Sequence, residues 1–362
     1  MKLANLAPSR ERVVDSVEEL RDAVRADFET SHFASTLPAI TLNDDGTIEF
    51  NGQRLPYTDA VHDKIVSLSG IPRMFDEDIP PDLLMELFEK RKRDKACPVT
   101  ICTSNETVVG IGPPHYMHES SSNGLVKTLD LLDHINLTEG YWEFDSAVVA
   151  DEGVKINLLI PGATIEPDKD DVIKVGLELT NSETGGSALK SDLYSLRLVC
   201  TNGMTRRLNE TSVYYTKLGS MSGRSKLRLF ARQFDESRSR VAESARTLYE
   251  GVSDAVMLDA DLLSLHRSLK RRIGGAKIDA DQVLGIPRQS RIEIANQVKA
   301  RGRRRLPEPT DYSCFEVHNS ITATARTQRL RLRRSLEQLG GNVLLMGHHP
   351  DAGQSTGLIV TS

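Results

Sequence analysis

The spacing of the apolar residues changes along this chain, and the change restricts the fold. Residues 99–213 contain short segments in which apolar and polar residues alternate, as they do in half-buried strands. After Gly223 the apolar residues recur three or four positions apart, as on one face of a helix. Strands followed by helices, rather than alternating with them, predict an α+β fold with a mainly antiparallel central sheet and flanking N-terminal and C-terminal helices.

The same patterns predict the individual elements. Strands are predicted at residues 99–102, 108–111, 141–149, 154–160 and 171–179, with a hairpin turn at 43–46. Helices are predicted at residues 15–29, 82–95, 122–135, 226–251, 259–272, 279–284, 290–301 and 316–339, the last ended by Gly340 and Gly341. Four regions follow: an N-terminal α+β region (1–98), a strand-rich central region (99–220), a basic helical region (221–345) and a flexible tail (346–362).

Charge is unevenly distributed along the chain. The net charge is -5, yet residues 221–306 carry 19 Lys and Arg against 10 Asp and Glu. Residues 307–362 carry five of each kind, so the first 220 residues have a net charge of -14. An acidic part followed by a basic part predicts either binding of the basic part to a polyanion or docking of one part on the other.

Cysteine usage and hydropathy indicate the compartment. The four cysteines form no C-x-x-C pair, which predicts separate, reduced thiols. The sequence has no apolar run long enough to predict a membrane span, and its N-terminus does not read as a signal peptide. We therefore expect a cytoplasmic protein without a membrane partner. Aromatic residues make up 5% of the chain, fewer than expected for a protein that stacks many bases on aromatic rings.

Two turn-forming clusters enclose a strand between residues 181 and 204. Turn residues suit the two ends of a strand, and their amides and hydroxyls could also present donors to an anion. Between the clusters apolar and polar residues alternate, as in a half-buried strand. The residues assigned to this structural motif, together with one residue further along the chain, are Asn181, Ser182, Gly186, Arg197, Cys200, Asn202, Gly203 and Asn319.

Familiar catalytic motifs each fail at a specific residue. No glycine precedes Lys190, as a phosphate-binding P-loop would require. Met221 stands where a nucleophile elbow has serine. Prolines follow Gly112, where a dinucleotide-binding turn would open a helix. We predict no catalytic residue and no cofactor.

A metal-dependent enzyme remains an alternative. Glu183 and Asp192 flank the strand of the motif, and carboxylates at such positions could bind Mg²⁺. His115 and His118, with Glu119 beside them, follow two prolines. Both groups suit ordinary turns, and no metal ligand is predicted from them. In the enzyme hypothesis, Glu183, Asp192 and His115 would surround a metal and act on nucleic acid or nucleotides.

Basic residues are concentrated after the strands. They occur directly behind residue 223, at 270–277 and at 299–305, and along the last predicted helix at Arg326, Arg329, Arg331, Arg333 and Arg334. A groove built from them would neutralise phosphates, with strong salt dependence and little sequence readout. The residues predicted to contact phosphates are Arg224, Arg228, Arg271, Arg272, Arg303 and Arg304. Alternatively, these cations pair with the acidic part of the chain or are solvated.

Three segments resemble an uncharacterised prokaryotic family of phage and plasmid-like proteins, the domain of unknown function 932. Residues 181–204, with Asn-Ser-Glu, Gly-Ser-Ala-Leu and Leu-Arg-Leu-Val-Cys-Thr-Asn-Gly-Met, are similar to its central motif. Residues 319–322 (Asn-Ser-Ile-Thr), followed by 333–337 (Arg-Arg-Ser-Leu-Glu) and Gly340, resemble its closing helix, where Ser320 replaces the more usual alanine. Tyr116 matches a third segment. The resemblance spans residues 80–345 and implies an association with mobile elements, but no reaction.

These observations lead to three hypotheses. The first is a non-catalytic nucleic-acid-binding protein of a phage or plasmid, which could bind or anneal single strands and could form homo-oligomers. The second is the metal-dependent enzyme described above. The third is a structural or assembly protein in which the basic part docks on the acidic part of a neighbour. The family association favours the first hypothesis only by analogy of architecture.

Overall fold

The structure, a computed structural model, has the predicted α+β architecture. It describes residues 6–26, 28, 31–71, 80–94, 98–112, 124–135, 137, 140–151, 153–166, 172–182, 189–197, 202–206, 213–214, 223–249, 255–273, 278–301, 306–328, 330–344 and 346. The predicted flexible tail, apart from Met346, lies outside the described residues.

The elements follow one another in this order. The helices are α1 Val17–Ala26, α2 Asp59–Leu68, α3 Pro81–Asp94, α4 Gly124–Leu132, α5 Gly223–Glu236, α6 Arg238–Tyr249, α7 Asp259–Ile273, α8 Ala280–Leu284, α9 Arg288–Arg301, α10 Cys314–Arg326 and α11 Leu330–Val343. The strands are β1 Glu11–Val14, β2 Ser31–Thr36, β3 Thr41–Leu42, β4 Thr47–Phe50, β5 Gln53–Pro56, β6 Pro98–Ser104, β7 Thr107–Gly112, β8 Glu143–Ala150, β9 Gly153–Ile165, β10 Ile173–Asn181, β11 Lys190–Arg197, β12 Asn202–Arg206, β13 Val213–Tyr214, β14 Val256–Leu258 and β15 Pro309–Ser313.

Among the described residues, the strands form one large and three small sheets. The large sheet has seven strands in the order β1-β8-β9-β10-β11-β12, with β13 paired to β11. The small sheets are β2-β6-β7, β3-β4-β5 and β14-β15. The pairing is antiparallel between β1 and β8, between β11 and both β12 and β13, and throughout the small sheets.

Two compact units make up the chain, and each consists of three segments. The first unit comprises residues 1–157, 179–191 and 213–235, and the second comprises 158–178, 192–212 and 236–362. The two units therefore interleave along the sequence. Strands β9, β10 and β11 each contribute residues to both of them.

In the first unit, a small sheet and two helices share an apolar core. The predicted hairpin turn at residues 43–46 joins β3 to β4, and Asn43 Nδ2 donates a hydrogen bond to Thr47 Oγ1 at 3.0 Å. Ile48 and Phe50 of β4 are fully buried against α2 and α3. The alternation of buried and less buried residues along β4 is the pattern of a one-sided strand.

Helix α5 belongs to the first unit and is anchored at its end. Trp142 Nε1 donates a hydrogen bond to Asp235 Oδ1 at 2.8 Å, and the Trp142 ring lies 4.7 Å from the ring of Phe234. Both aromatic rings are buried. These contacts fix the end of the helix that carries Arg224 and Arg228.

In the second unit, the helices α7, α8, α10 and α11 enclose one apolar core. Helix α10 begins with a capping box, in which Ser313 Oγ accepts from the Glu316 amide at 3.1 Å and Glu316 accepts from the Ser313 amide at 3.2 Å. Met257 of β14 and Val317 of α10 are both buried in this core.

Two predicted helices are each divided in two. The segment predicted as one helix over residues 226–251 is interrupted at Ser237, whose carbonyl accepts from the Val241 amide in the first turn of α6. The last predicted helix breaks after Arg326, where the hydroxyls of Thr324 and Thr327 donate to backbone carbonyls four and three residues earlier. The hydroxyl bonds of Thr324 and Thr327 compete with the backbone hydrogen bonds of a helix. The prediction of one continuous helix was wrong for both segments.

Gly340 and Gly341 do not end the last helix. Helix α11 continues to Val343, and Gly340 lies within it where α11 meets α10. A Cβ atom on Gly340 would come within 2.8 Å of Thr322 Cγ2, and the Gly340 carbonyl lies 3.0 Å from His318 Nδ1. The glycine therefore permits close helix packing instead of forming a cap.

Strand β10 is buried more completely than its alternation predicts. Gly176 and Glu178, which share the less apolar side of the strand, are as buried as their apolar neighbours. Asp192 of β11 is also fully buried. The large sheet therefore carries charged side chains in its interior, where each requires compensating partners.

Within the described residues, no helix combines the length and the apolar composition needed to cross a membrane.

Candidate nucleic-acid interface

Helix α7 ends in an exposed basic turn. Its inner face buries apolar residues at helical spacing, namely Leu262, Leu265 and Leu269. Lys270, Arg271 and Arg272 occupy the last turn and are exposed. Cations in this position are favoured by the partial negative charge at a helix C-terminus.

Helix α9 lies on the surface and has no fully buried residue. Pro287 precedes the helix, and its carbonyl accepts from the Arg291 amide at 3.1 Å. The half-buried residues recur along one side of α9, at Ser290, Arg291, Ile294, Ala295, Val298 and Arg301. Ile294 packs against the apolar core of the second unit. The opposite side of the helix faces solvent.

A charged cluster connects α9 to α8 and α7. Arg291 donates to Asp281 through Nε, and again through Nη2 at 3.0 Å. His266 Nε2 lies 3.1 Å from Asp281 Oδ1. The side chains of His266 and Asp281 are almost completely buried. This cluster places the middle of α7 beside the first turns of α9.

The cluster changes the titration of two of its members. Burial, and then the positive charge of Arg291, lower the pKa of His266, although Asp281 opposes this. Burial works against the charge of Asp281, but the hydrogen bond and charge of Arg291 outweigh it and lower the pKa of Asp281. At neutral pH, His266 is therefore neutral and Asp281 is ionised.

A second set of ion pairs holds the other end of α9. Arg301 pairs with Asp259 at the start of α7, and Arg301 Nη1 lies 2.8 Å from Glu308 Oε2. The C-terminus of α9 thus lies at the N-terminus of α7, so the two helices run antiparallel. It follows that Arg288, one turn before Arg291, lies at the same end of the pair as the basic turn of α7.

We call the exposed cations at this end the α7–α9 basic surface: Lys270, Arg271, Arg272 and Arg288. None of the four forms an ion pair with another residue in the described part of the chain. The nearby carboxylate of Asp281 is already paired with Arg291. Arg272 Nη1 donates to Ser335 Oγ of α11 at 3.1 Å. The surface is therefore a concentration of positive charge in which no cation is paired within the described residues, although the exposed acids Asp279 and Glu293 lie close to Arg291 in space or along α9.

Acid should loosen this helix arrangement. Because the folded pKa of His266 lies below its ordinary value of about 6.5, the unfolded chain binds the proton more readily, and stability should fall as the pH decreases through about 6.5. Asp281 acts with the same sign at lower pH, since its folded pKa is also lowered. The urea concentration at the unfolding midpoint should be lower at pH 5.5 than at pH 7.5. This difference should be smaller in the His266→Gln variant than in the unsubstituted protein. An unchanged difference would contradict this.

The other residues predicted to contact phosphates do not belong to the α7–α9 basic surface. Arg228 is exposed on α5 in the first unit, whereas Arg271 and Arg272 belong to the second unit. Arg224 begins the same helix as Arg228, with its side chain outside the described part. Arg303 and Arg304 follow α9 directly and lie outside the described residues.

Arg333 does not face solvent as a phosphate-binding residue would. Its Nε donates to Glu337 Oε1 at 3.0 Å, and the Glu337 side chain is only 1% exposed. Burial works against the charge of Arg333, but Glu337, Tyr194 and Glu178 raise its pKa. Arg333 therefore neutralises buried acids of the second unit.

The motif residues at 181–204 have structural contacts where they are described. Asn181 Nδ2 donates to Thr128 Oγ1 at 3.0 Å, and Asn181 Oδ1 accepts from the Ser182 amide at 2.9 Å. Asn202 and Gly203 belong to β12 and pair with Arg197 and Leu196 of β11. Gly186 and Cys200 lie outside the described residues.

Asn319, the remaining motif residue, lies on α10 next to Ser320, which contacts the turn between α8 and α9. Its neighbour Ser320 lies under the turn that joins α8 to α9, because a Cβ atom on Gly285 would meet Ser320 Oγ at 2.8 Å. The Asn319 carbonyl accepts from Thr322 Oγ1 at 3.2 Å.

The residues of the metal hypothesis are mostly outside the described part of the chain. This applies to Glu183, His115, His118 and Glu119, while Asp192 is buried in β11. The described residues contain no group of three or more His, Cys, Asp or Glu side chains able to hold a metal ion.

Arg288 was not predicted as a site residue. The predicted helix began at Ser290, two residues too late, so Arg288 was assigned to a loop. Pro287 was the available signal, since proline is common at helix starts and a helix can begin directly after it.

Comparison of the chain with protein-family models, curated proteins and solved structures finds no match. The family resemblance of the sequence therefore stays a prediction, and the function is argued from the residues themselves.

Proposed function

We propose that this protein binds nucleic acid, without catalysing a reaction, through the α7–α9 basic surface. The observation that carries the proposal is the set of four exposed cations at one end of the α7–α9 helix pair, none of which forms an ion pair within the described residues. A group of exposed cations of this kind can neutralise several phosphates of a nucleic-acid backbone. The family resemblance adds that the protein would serve a phage or a plasmid.

Two further features support an anionic ligand. The first amides of α9 have no acceptor within the helix, and Pro287 supplies no capping side chain. Such amides attract phosphate oxygens. Residues 302–305, Gly-Arg-Arg-Arg, extend the positive charge of the sequence beyond α9.

Removing charge from the surface should weaken binding in a salt-dependent way. We expect Arg271→Gln/Arg288→Gln to bind a labelled 30-base-pair DNA roughly tenfold or more weakly at 0.1 M salt, because two phosphate contacts are lost. The slope of log affinity against log salt should decrease by about two. Fluorescence anisotropy over a salt series measures both quantities, with single-stranded DNA and RNA as parallel probes.

The matched control removes the same charge elsewhere. Arg25 and Lys64 are exposed on α1 and α2 of the first unit, so Arg25→Gln/Lys64→Gln should leave the affinity and the slope nearly unchanged. Equal losses in the two double variants would mean that net charge, and not this surface, determines binding. Absence of binding to every probe at 50 mM salt would refute the proposed function.

A further inference from the structure

The turn between α8 and α9 has the length, and contains the glycine, that are typical of helix-turn-helix proteins. Asp279 caps α8 by accepting from the Asp281 amide at 2.8 Å, and only three residues separate α8 from α9. The first of them, Gly285, has a left-handed φ of 69° and lies against Ser320 of α10. A turn of this length with a glycine also joins the two helices of a helix-turn-helix, in which the second helix enters the DNA major groove.

Helix α9 is held rigidly on one side only. Arg291 binds Asp281 near its start, Ile294 packs on the core in its middle, and Arg301 binds Asp259 at its end. A helix fixed along its whole length by one face can present the other face in a defined orientation. With 14 residues, α9 is about 20 Å long.

The outward face of α9 carries side chains able to recognise base pairs. Its exposed residues are Arg288, Gln289, Ile292, Glu293, Asn296, Gln297, Lys299 and Ala300. Gln289 and Asn296 lie at the centre of this face, since 100° per residue places both opposite the half-buried side. Amide side chains pair with adenine, arginine pairs with guanine, and an apolar side chain contacts the thymine methyl group.

Two details of this face suit base recognition more than general solvation. Gln289 Nε2 donates to Glu293 Oε1 at 3.0 Å, which orients the glutamine. Ile292 is 37% exposed in the middle of a polar surface, where a thymine methyl group would cover it. Gln289 and Asn296 are two turns apart, or about 10 Å, which corresponds to about three base pairs of B-DNA.

We propose that α9 is a recognition helix and that it reads sequence in the major groove of double-stranded DNA. This inference rests on the proposed function, because the α7–α9 basic surface would supply the phosphate contacts that position the helix. Duplex DNA is favoured over a single strand because the outward face has no aromatic residue on which bases could stack. It is favoured over RNA because the major groove of A-form RNA is too deep and narrow for side chains.

The test selects duplex DNA from a random-sequence pool with the full-length protein and measures the affinity for a selected and a scrambled duplex of equal length. We expect a clear preference for the selected duplex. Asn296→Ala and Gln289→Ala should each lower the affinity for the selected duplex by about tenfold. Neither should change the affinity for the scrambled duplex, because only base contacts are removed.

Gln297→Ala is the matched control, since Gln297 is an amide on the same helix but points to the edge of the outward face. It should change the preference by less than about twofold. Binding to all duplexes without preference, or tighter binding to single strands or RNA, would overturn this inference and leave the proposed function intact. A failure to bind any nucleic acid would overturn both.

Discussion

Gly176→Ala is expected to destabilise the protein by about 3 kcal/mol or more. A Cβ atom on Gly176 would lie 2.7 Å from Leu159 Cα and would overlap the carbonyl oxygen of Leu158. Both are backbone atoms, which cannot rotate away as a side chain could. Since domains are stable by only about 5–15 kcal/mol, much of the stability would be lost. Thermal and urea unfolding of the purified variant measure the loss, and soluble yield reports a failure to fold.

Gly52→Ala is the control that distinguishes the steric clash at Gly176 from the general cost of replacing a glycine. Gly52 has a φ of 77° but no heavy atom within 4 Å of its Cβ position. Gly52→Ala should therefore cost only about 1 kcal/mol, from the left-handed backbone alone. If both variants lost the same stability, the close approach at Gly176 would not be the cause.

Arg333→Met should also be strongly destabilising, by about 3 kcal/mol, although it replaces a charged residue with an apolar one. The substitution leaves Glu337 and Glu178 buried without the guanidinium that compensates them. Removing one partner of a buried ion pair is costly because the other charge stays desolvated. Chemical unfolding at pH 7 measures the deficit.

Arg326 provides the control for charge removal. It is exposed at the end of α10, so Arg326→Met should change stability by no more than about 0.5 kcal/mol. Arg333→Lys should give an intermediate loss, since lysine retains the charge but lacks the planar guanidinium. Equal losses in Arg333→Met and Arg333→Lys would show that the positive charge of Arg333 is not what stabilises the protein.

Local signals in the sequence were sufficient for most elements, including α7, whose predicted end was one residue short. Helix α2 and strands β14 and β15 were not predicted. Other predictions were wrong at positions where the conformation depends on residues distant in the sequence. The apolar period continues across Thr327, so the break between α10 and α11 was missed. Gly340 looked like a cap, because the packing partner that requires it, Thr322, is 18 positions away. Burial of Glu178 depends on Arg333, which is separated from it by more than 150 residues.

The sequence predicted a basic site, but it did not predict which cations belong to it. Clusters of arginine in the sequence pointed to Arg271 and Arg272, which lie on the exposed surface. The sequence could not show that Arg301 is used in an ion pair, because its partner Asp259 is 42 residues away. The pair of Arg333 with Glu337 spans only four residues of one helix and could have been expected from the sequence. Counting positive charge therefore overestimates the surface available to a polyanion. Only the three-dimensional arrangement separates the paired cations from the exposed ones.

The interleaved segments of the two units limit how this protein can change during evolution. The chain passes from one unit to the other five times, at residues 157, 178, 191, 212 and 235. A single recombination crossover therefore cannot exchange one unit for a homologous one and leave the other intact. We therefore expect variation among relatives to consist of point substitutions more than of exchanged units.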